Sequence, residues 1–212
     1  MGKPLLITDC DEVLLHFIAP FHGWIGEIHD IDFSIERCDF YTGMRRKACG
    51  SPVEQREAFA IFNQFFTDEM HRQPIAPGAA EALAAIGTQA DVVVLTNLPP
   101  GYEALRTRQL QSHGLELNVT CNIGPKGPAL KRLLDQYQPT AAVFVDDLAE
   151  HHESVAQAAP DVHRLHMIAE PLLAPHIPPA SAAHARIDSW REALPWITKH
   201  LGLQMVNEKG GS

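Results

Sequence analysis

The chain has 212 residues, which is enough for one generous domain or for a core domain with a small insert. Its 26 acidic residues outnumber its 17 lysines and arginines, and the formal net charge of −9 argues against nucleic acid polymers and anionic membrane surfaces as partners. No apolar run approaches the roughly 20 residues that span a bilayer, and the first residues lack a signal-peptide pattern. The 4 cysteines form no C-x-x-C pair, so we expect a reduced, cytoplasmic protein.

Three short apolar runs, at residues 5–7, 92–95 and 141–145, predict buried strands because they are continuous rather than alternating. Each run is followed by polar residues, which are Thr8-Asp9, Thr96-Asn97 and Asp146-Asp147. Helical patterns lie between and after the runs, at 79–86, at about 101–113, beyond Pro128 and at 148–159. Strands that alternate with helices predict an α/β fold with a doubly wound parallel sheet of the Rossmann type.

The last helix is predicted from a capping box, in which Ser189 and Glu192 precede an apolar stripe. Pro195 lies inside that stripe, so we expect it to kink or restart the helix. The final residues, 207–212, are polar and rich in glycine, and we expect them to be disordered.

The stretch 16–74 has no strong strand pattern and differs from the rest of the chain. Residues 51–54 have the composition of a helix start, and the aromatic residues that follow recur at helical spacing. We therefore predict a small helical cap at 16–74, inserted after the first strand of a core domain that is formed by 1–15 and 75–206.

One segment of this cap, 37–47, combines aromatic residues, a glycine and a basic cluster. It could close over a substrate, and we predict that Arg45 and Arg46 bind the distal part of that substrate. The alternative is an ordinary solvated basic loop.

Acidic residues follow the first and the last predicted core strand, at the edge of the sheet where ligands of open parallel sheets bind. They are Asp9, Asp11, Asp146 and Asp147, and Thr96 ends the strand between them. Each of these alone is typical of a turn or a helix cap, but together they place several carboxylates in one crevice. Carboxylates so close repel one another unless a cation lies between them, and hard oxygen ligands suit Mg²⁺.

Four short motifs follow one another along the core. They are the apolar strand with Asp9-Cys10-Asp11 in Leu5–Leu14, then Val94–Asn97, then Lys126 before its helix, and last Val143–Leu148. In this order they resemble the haloacid dehalogenase (HAD) superfamily, in its phosphatase branch. The resemblance covers the core at 3–9 and 77–159, whereas the insert has no residue-level match. The family commonly has glycine after the second aspartate, but this chain has Glu12, which either alters metal or leaving-group preference or, as we expect, points into solvent.

The resemblance implies a mechanism with an aspartyl-phosphate intermediate. Asp9 would be the nucleophile, and Asp11 would protonate the leaving group and then deprotonate the attacking water. Thr96 and Asn97 would bind a phosphoryl oxygen, and Lys126 would offset charge on Asp9 and on the transferred group.

The same resemblance implies a magnesium site. Mg²⁺ would bind Asp9, the main-chain carbonyl of Asp11 and Asp146, while Asp147 would bind through water or orient the other ligands. We therefore predict a magnesium-dependent phosphatase whose partner is a small phosphorylated metabolite.

Alternatives to this prediction share the same residues. A phosphomutase or another phosphotransferase has the same core, and a phospho-acceptor signalling domain also gathers acidic residues, a threonine and a lysine. In such a signalling domain, however, the acidic pair comes early and the lysine last, whereas Lys126 precedes Asp146 and Asp147 here. A non-catalytic binding protein would lack Asp9 or Asp11, and both are present. A dehalogenase needs no acid at the position of Asp11, because a halide leaves without a proton, so we rank phosphate-ester hydrolysis above dehalogenation. The sequence leaves the substrate and the oligomeric state open.

Overall fold

The computed structural model describes residues 2–37 and 43–204. Its strands are β1 Leu5–Thr8, β2 Ile31–Asp32, β3 Arg45–Arg46, β4 Asp91–Thr96, β5 Asn118–Cys121, β6 Ala142–Asp146, β7 His163–His166 and β8 Ala185–Arg186. Six of them form one sheet in the order β5-β4-β1-β6-β7-β8, and every pairing in that sheet is parallel.

The α-helices of the described residues are α1 Ile18–Ile28, α2 Gln55–Gln64, α3 Ala79–Gly87, α4 Glu103–Ser112, α5 Gly127–Tyr137, α6 Ala149–Ala158 and α7 Trp190–Leu201. Helices α3 to α7 cover the two faces of the sheet. Because side chains alternate along a strand, Leu6 packs with α3 and α7, while Leu5 and Ile7 pack with α5 and α6 on the opposite face. The predicted α/β fold with a doubly wound parallel sheet is therefore confirmed.

The three strands predicted from apolar runs correspond to β1, β4 and β6, whereas β5, β7 and β8 were not predicted. The missed strands are short and carry polar residues such as Asn118, Arg164 and His166. Arg164 and His166 are nevertheless buried, because loop carbonyls and neighbouring side chains satisfy them, as in the bond from Arg164 Nε to the Ala182 carbonyl (2.7 Å). A hydrophobic pattern cannot predict strands of this kind.

The insert contains α2, where the aromatic spacing predicts a helix, and also α1 and the antiparallel pair β2–β3, which the sequence does not predict individually. Its own apolar cluster is centred on Phe21, Trp24 and Phe65. Helix α2 begins at Gln55 rather than at Ser51, and no side-chain capping bond precedes it, so the helix start predicted at 51–54 is wrong.

The predicted N-cap of the C-terminal helix is confirmed, because Ser189 Oγ accepts a hydrogen bond from the Glu192 amide at 3.3 Å. Helix α7 runs through Pro195 without restarting. At the base of the insert, Leu15 and Ile75 form an antiparallel bridge, and the His16 amide donates to the Pro74 carbonyl at 3.0 Å. The bridge lies where the domain boundaries were predicted, and the boundaries themselves stay a prediction. Among the described residues, no helix has the length and apolar character needed to cross a bilayer.

Candidate active site

The site lies where the strand order reverses, beyond the carboxyl ends of β1 and β6. These two strands are parallel neighbours, with Thr8 opposite Val145, so the residues that follow them come together. The Asp9 amide donates to the Val145 carbonyl at 2.8 Å, which fixes Asp9 beside Asp146. The predicted convergence of the first and last acidic motifs is thus present in the structure.

Lys126 joins these two aspartates. Its Nζ lies 2.6 Å from Asp9 Oδ1 and 2.7 Å from Asp146 Oδ2, and its side chain is 1% exposed. Although burial opposes it, the ion pairs with Asp146 and Asp9 raise the pKa of Lys126. The lysine is therefore a fixed positive charge between two buried carboxylates.

Gly127 explains how the backbone brings Lys126 so close. Helices α5 and α6 touch at this point, and a Cβ atom on Gly127 would lie 2.3 Å from the Ser154 carbonyl oxygen. The Gly127 amide instead donates to Ser154 Oγ at 3.0 Å. Only glycine permits this approach, which positions the preceding lysine over the strand ends.

Asp147 is the third carboxylate of the cluster. Oxygen atoms of Asp9, Asp146 and Asp147 all lie within 4.8 Å of one another. Burial, followed by the charges of Asp146 and Asp9, raises the pKa of Asp147 well above its ordinary value, and burial also raises the pKa of Asp9 although Lys126 opposes this. Three carboxylates face one ammonium group, so a divalent cation such as Mg²⁺ fits both the excess negative charge and the all-oxygen ligand set.

Asp11 lies outside this cluster and has partners of its own. Arg106 Nη2 lies 2.9 Å from its Oδ1 and 2.7 Å from its Oδ2, and Gln73 Nε2 donates to Oδ1 at 2.6 Å. Arg106 is completely buried in α4, whereas the Asp11 side chain is 20% exposed and borders the central cavity. Sequence reasoning missed Arg106 and Gln73, since an isolated arginine in a polar helix carries no recognisable signal. The predicted metal contact of the Asp11 carbonyl stays a prediction.

Thr96 and Asn97 line the same cavity, and Thr96 is buried at the end of β4. The Asn97 side chain braces the neighbouring loops, since its Nδ2 donates to the Gly124 carbonyl at 3.0 Å and its Oδ1 accepts from Asn122 at 2.9 Å. Asn97 Nδ2 also lies 3.2 Å from Nε2 of His151, a buried residue that lines the cavity. The phosphate-binding roles of Thr96 and Asn97 stay predictions.

Glu12 does not point into solvent, so that expectation is wrong: only 3% of the residue is exposed. Its φ of 61° lies in the left-handed region that favours glycine, and this turn directs the side chain inward. Glu12 Oε1 accepts the amides of Phe17 at 2.9 Å and Ile18 at 2.6 Å, at the start of α1. Burial raises the pKa of Glu12 to about 8.

A cavity of about 600 Å³ extends from the carboxylates to the cap. Phe17, Phe62 and Phe66 line it from the cap, and Ile168, Leu173 and Ile177 line it from the core. Arg45 and Arg46 do not line it: both are exposed, and Arg46 Nη2 pairs with Glu57 at 2.7 Å. Their role in substrate binding stays a prediction without support from this geometry, and residues 38–42 of the basic segment lie outside the described residues.

No protein-family model and no curated protein matches this chain, whereas solved structures match it over most of its length. A haloacid dehalogenase-like hydrolase from Burkholderia xenovorans matches with a TM-score of 0.63 at 14% identity, over 95% of this chain and 99% of that one. A phosphoglycolate phosphatase from Lactobacillus plantarum matches with a TM-score of 0.58 at 13% identity, over 92% and 99%. The defluorinating L-2-haloacid dehalogenase Rha0230 matches with a TM-score of 0.60 at 10% identity, over 92% and 95%. The chain therefore has the fold of the haloacid dehalogenase-like hydrolases.

Proposed function

We propose that this protein is a magnesium-dependent phosphatase that hydrolyses a small-molecule phosphomonoester through an aspartyl-phosphate intermediate on Asp9. One observation carries the proposal: the carboxylates of Asp9, Asp146 and Asp147 lie within 4.8 Å of one another. Lys126 contacts two of them, and Asp11 borders the same cavity. This set can bind a cation, attack phosphorus and transfer a proton.

In the first step, an oxygen of the Asp9 carboxylate attacks phosphorus, and the bond from phosphorus to the alcohol oxygen breaks. Lys126, 2.6 Å from Asp9, favours the ionised nucleophile and offsets charge on the transferred group. Asp9, Asp146 and Asp147 would hold Mg²⁺, which when bound neutralises charge on the phosphoryl oxygens. Water then attacks phosphorus of the aspartyl-phosphate, which releases phosphate and restores the Asp9 carboxylate.

Asp11 would serve both steps as a general acid and then a general base. The alcohol leaves with a proton from the protonated acid, and the ionised acid accepts a proton from water in the second step. The bidentate pair with Arg106 binds the ionised form, which is the form that the second step needs.

The lining of the cavity favours a substrate with an apolar organic group. Phenylalanines line its cap side, and Lys126 is the one lysine or arginine among the described residues that line it. A phosphate ester of an aromatic or branched aliphatic alcohol fits the cap side of this lining better than a sugar phosphate does, because hydroxyl groups against the phenylalanine rings would lack partners. Substituting Phe62 by Ala should lower kcat/KM for naphthyl phosphate by roughly 10-fold or more and leave glycerol phosphate nearly unaffected. Equal loss for both substrates would contradict the apolar assignment.

The mechanism is tested with p-nitrophenyl phosphate, whose leaving group departs without a proton. Asp9→Asn should abolish turnover, whereas Asp11→Asn should still become phosphorylated but hydrolyse the intermediate slowly. Acid quenching and mass spectrometry should then find phosphate on the peptide that contains Asp9. Asp91→Asn is the matched control, because this carboxylate begins β4 at the opposite end of the sheet. Activity in Asp9→Asn, or a phosphate on another residue, would refute the proposal.

Product analysis separates the alternatives. A phosphomutase would return an isomeric phosphate ester instead of inorganic phosphate, and a signalling domain would keep its phosphoryl group for many minutes after exposure to acetyl phosphate. The structural match to a dehalogenase favours a second candidate, which release of halide from a 2-haloacid would support. Asp11 favours the phosphatase, since a halide needs no proton to leave.

A further inference from the structure

Three titratable side chains outside the proposed reaction meet at the base of the cap. Glu12 and His16 come from the segment that leads from the core into the cap, and Glu170 comes from the loop after β7. One potential ligand atom from each lies within 4.8 Å of the other two. The Ala169 amide donates to the Glu12 carbonyl, which holds the two segments together.

Both carboxylates are anchored through one oxygen. Glu12 Oε1 accepts the first two amides at the start of α1, and Glu170 Oε1 accepts the Leu172 amide at 3.0 Å. Their second oxygens are left for other partners. Hydrogen bonds that fix a carboxylate in this way are typical of metal ligands, whose orientation depends on such support.

Two buried atoms of the cluster make no hydrogen bond among the described residues, and one of them has no charged partner either. Glu12 Oε2 is buried and has no hydrogen-bond partner among the described residues, although the residue is only 3% exposed. His16 Nδ1 is also buried and makes no hydrogen bond, in spite of lying 3.1 Å from Glu170 Oε2. Buried polar atoms are nearly always satisfied, so Glu12 Oε2 points to a missing partner, and the neighbouring His16 nitrogen and Glu170 oxygen could bind that partner as well.

We infer that Glu12, His16 and Glu170 form a second cation site that binds a divalent transition-metal ion, with Zn²⁺ as the best fit. Two carboxylates and one imidazole form a mixed oxygen and nitrogen ligand set, which suits Zn²⁺ better than Mg²⁺. The cluster of Asp9, Asp146 and Asp147 offers only oxygen ligands and therefore suits Mg²⁺. A bound ion would tie the first cap residues to the core, and this inference does not depend on the phosphatase reaction.

The test measures metal stoichiometry rather than activity. Chelator-treated full-length protein is dialysed against excess Mg²⁺, which fills the all-oxygen cluster, and then titrated with Zn²⁺ under equilibrium dialysis with elemental analysis. We expect one tightly bound Zn²⁺ per chain, with an imidazole in its X-ray absorption spectrum. Glu12→Gln, His16→Gln and Glu170→Gln should each weaken binding by roughly 10-fold or more. Glu12→Gln keeps an acceptor for α1, and the other two variants provide the test if it fails to fold.

Two controls identify the site. His200→Gln alters a separate group in which the His163 and His200 rings lie 4.5 Å apart, and it should leave Zn²⁺ binding unchanged. Asp146→Asn should also leave it unchanged while weakening Mg²⁺ binding. No tightly bound Zn²⁺, or equal affinity in wild type and Glu12→Gln, would overturn the inference. Loss of Zn²⁺ in Asp146→Asn alone would place the ion in the Asp9 cluster and overturn it as well.

Discussion

Replacing Lys126 by methionine removes the positive charge that two buried carboxylates share. Methionine nearly fills the volume of the lysine stem, so the substitution isolates the charge from the packing. Lys126 Nζ contacts Asp9 at 2.6 Å and Asp146 at 2.7 Å, and neither aspartate has more than 9% of its side chain exposed. Both carboxylates would therefore lose their cation without gaining access to water.

Breaking a buried ion pair by removing one partner costs about 3–5 kcal/mol. In EDTA at neutral pH, we expect the free energy of unfolding of Lys126→Met to fall by that amount relative to wild type, which is a large share of the roughly 5–15 kcal/mol typical of natural domains. Saturating Mg²⁺ should reduce the deficit, because the bound ion supplies charge to the same carboxylates. Turnover of p-nitrophenyl phosphate should fall by about 10²–10³-fold even with Mg²⁺ present.

Urea unfolding followed by circular dichroism, with and without Mg²⁺, measures the stability difference, and Lys126→Arg serves as the charge-conserving comparison. The arginine variant should lose less stability than the methionine variant. If Lys126→Met is as stable as wild type in EDTA, then Lys126 does not compensate the buried charges. If Mg²⁺ stabilises the two proteins equally, the ion does not bind the carboxylates that Lys126 contacts.

Three other predictions concern neighbouring parts of the molecule. Arg106→Met should lower the free energy of unfolding by about 3 kcal/mol in urea titrations, because it removes a bidentate ion pair with Asp11 that is only partly exposed to water; an unchanged midpoint would show that the pair contributes little. Burial lowers the pKa of His152 to about 4, because it favours the neutral imidazole in the folded protein. The contribution of His152 to the free energy of unfolding is therefore complete above the unfolded pKa near 6.5 and is lost as pH falls towards 4. His152→Gln should therefore make stability less dependent on pH between these values, and an unchanged slope would contradict this assignment. Gly127→Ala should lower the free energy of unfolding by about 1–3 kcal/mol and reduce turnover, because the added Cβ would lie 2.3 Å from an atom of α6. Gly87→Ala is the control, since nothing lies within 4 Å of the added Cβ, and it should leave stability unchanged or raise it slightly in the same assays.

The core could be predicted from the sequence because its strands follow simple rules. β1, β4 and β6 are buried on both faces, so their apolar runs are continuous and their polar ends identify one edge of the sheet. The convergence of Asp9 and Asp146 followed from that geometry alone. The position of Lys126 in the site could be predicted only from the family resemblance, since a lysine between two Gly-Pro dipeptides is by itself typical of a solvated loop.

The partners of Asp11 could not be predicted, because they depend on long-range packing. Arg106 lies 95 positions away in the chain, and Gln73 lies 62 positions away. No periodicity in α4 distinguishes Arg106 from the exposed Arg108 beside it. Glu12 was misjudged for a related reason: its left-handed backbone turns the side chain inward, and a sequence pattern does not report the sign of φ.

Asp11 and Glu12, which follow the proposed nucleophile Asp9 along the chain, contact opposite ends of the cap. Gln73, where the chain returns from the cap, donates to Asp11 at 2.6 Å, and Glu12 accepts the amides that begin the first cap helix. Arg106 completes the link, since its guanidinium carbon lies 5.8 Å from the centre of the Phe66 ring on the cap side of the cavity. Each of these contacts has one partner in the cap or its connections and the other in or beside the proposed site. The position of the cap is therefore linked through Gln73 to Asp11, the residue proposed to transfer the proton.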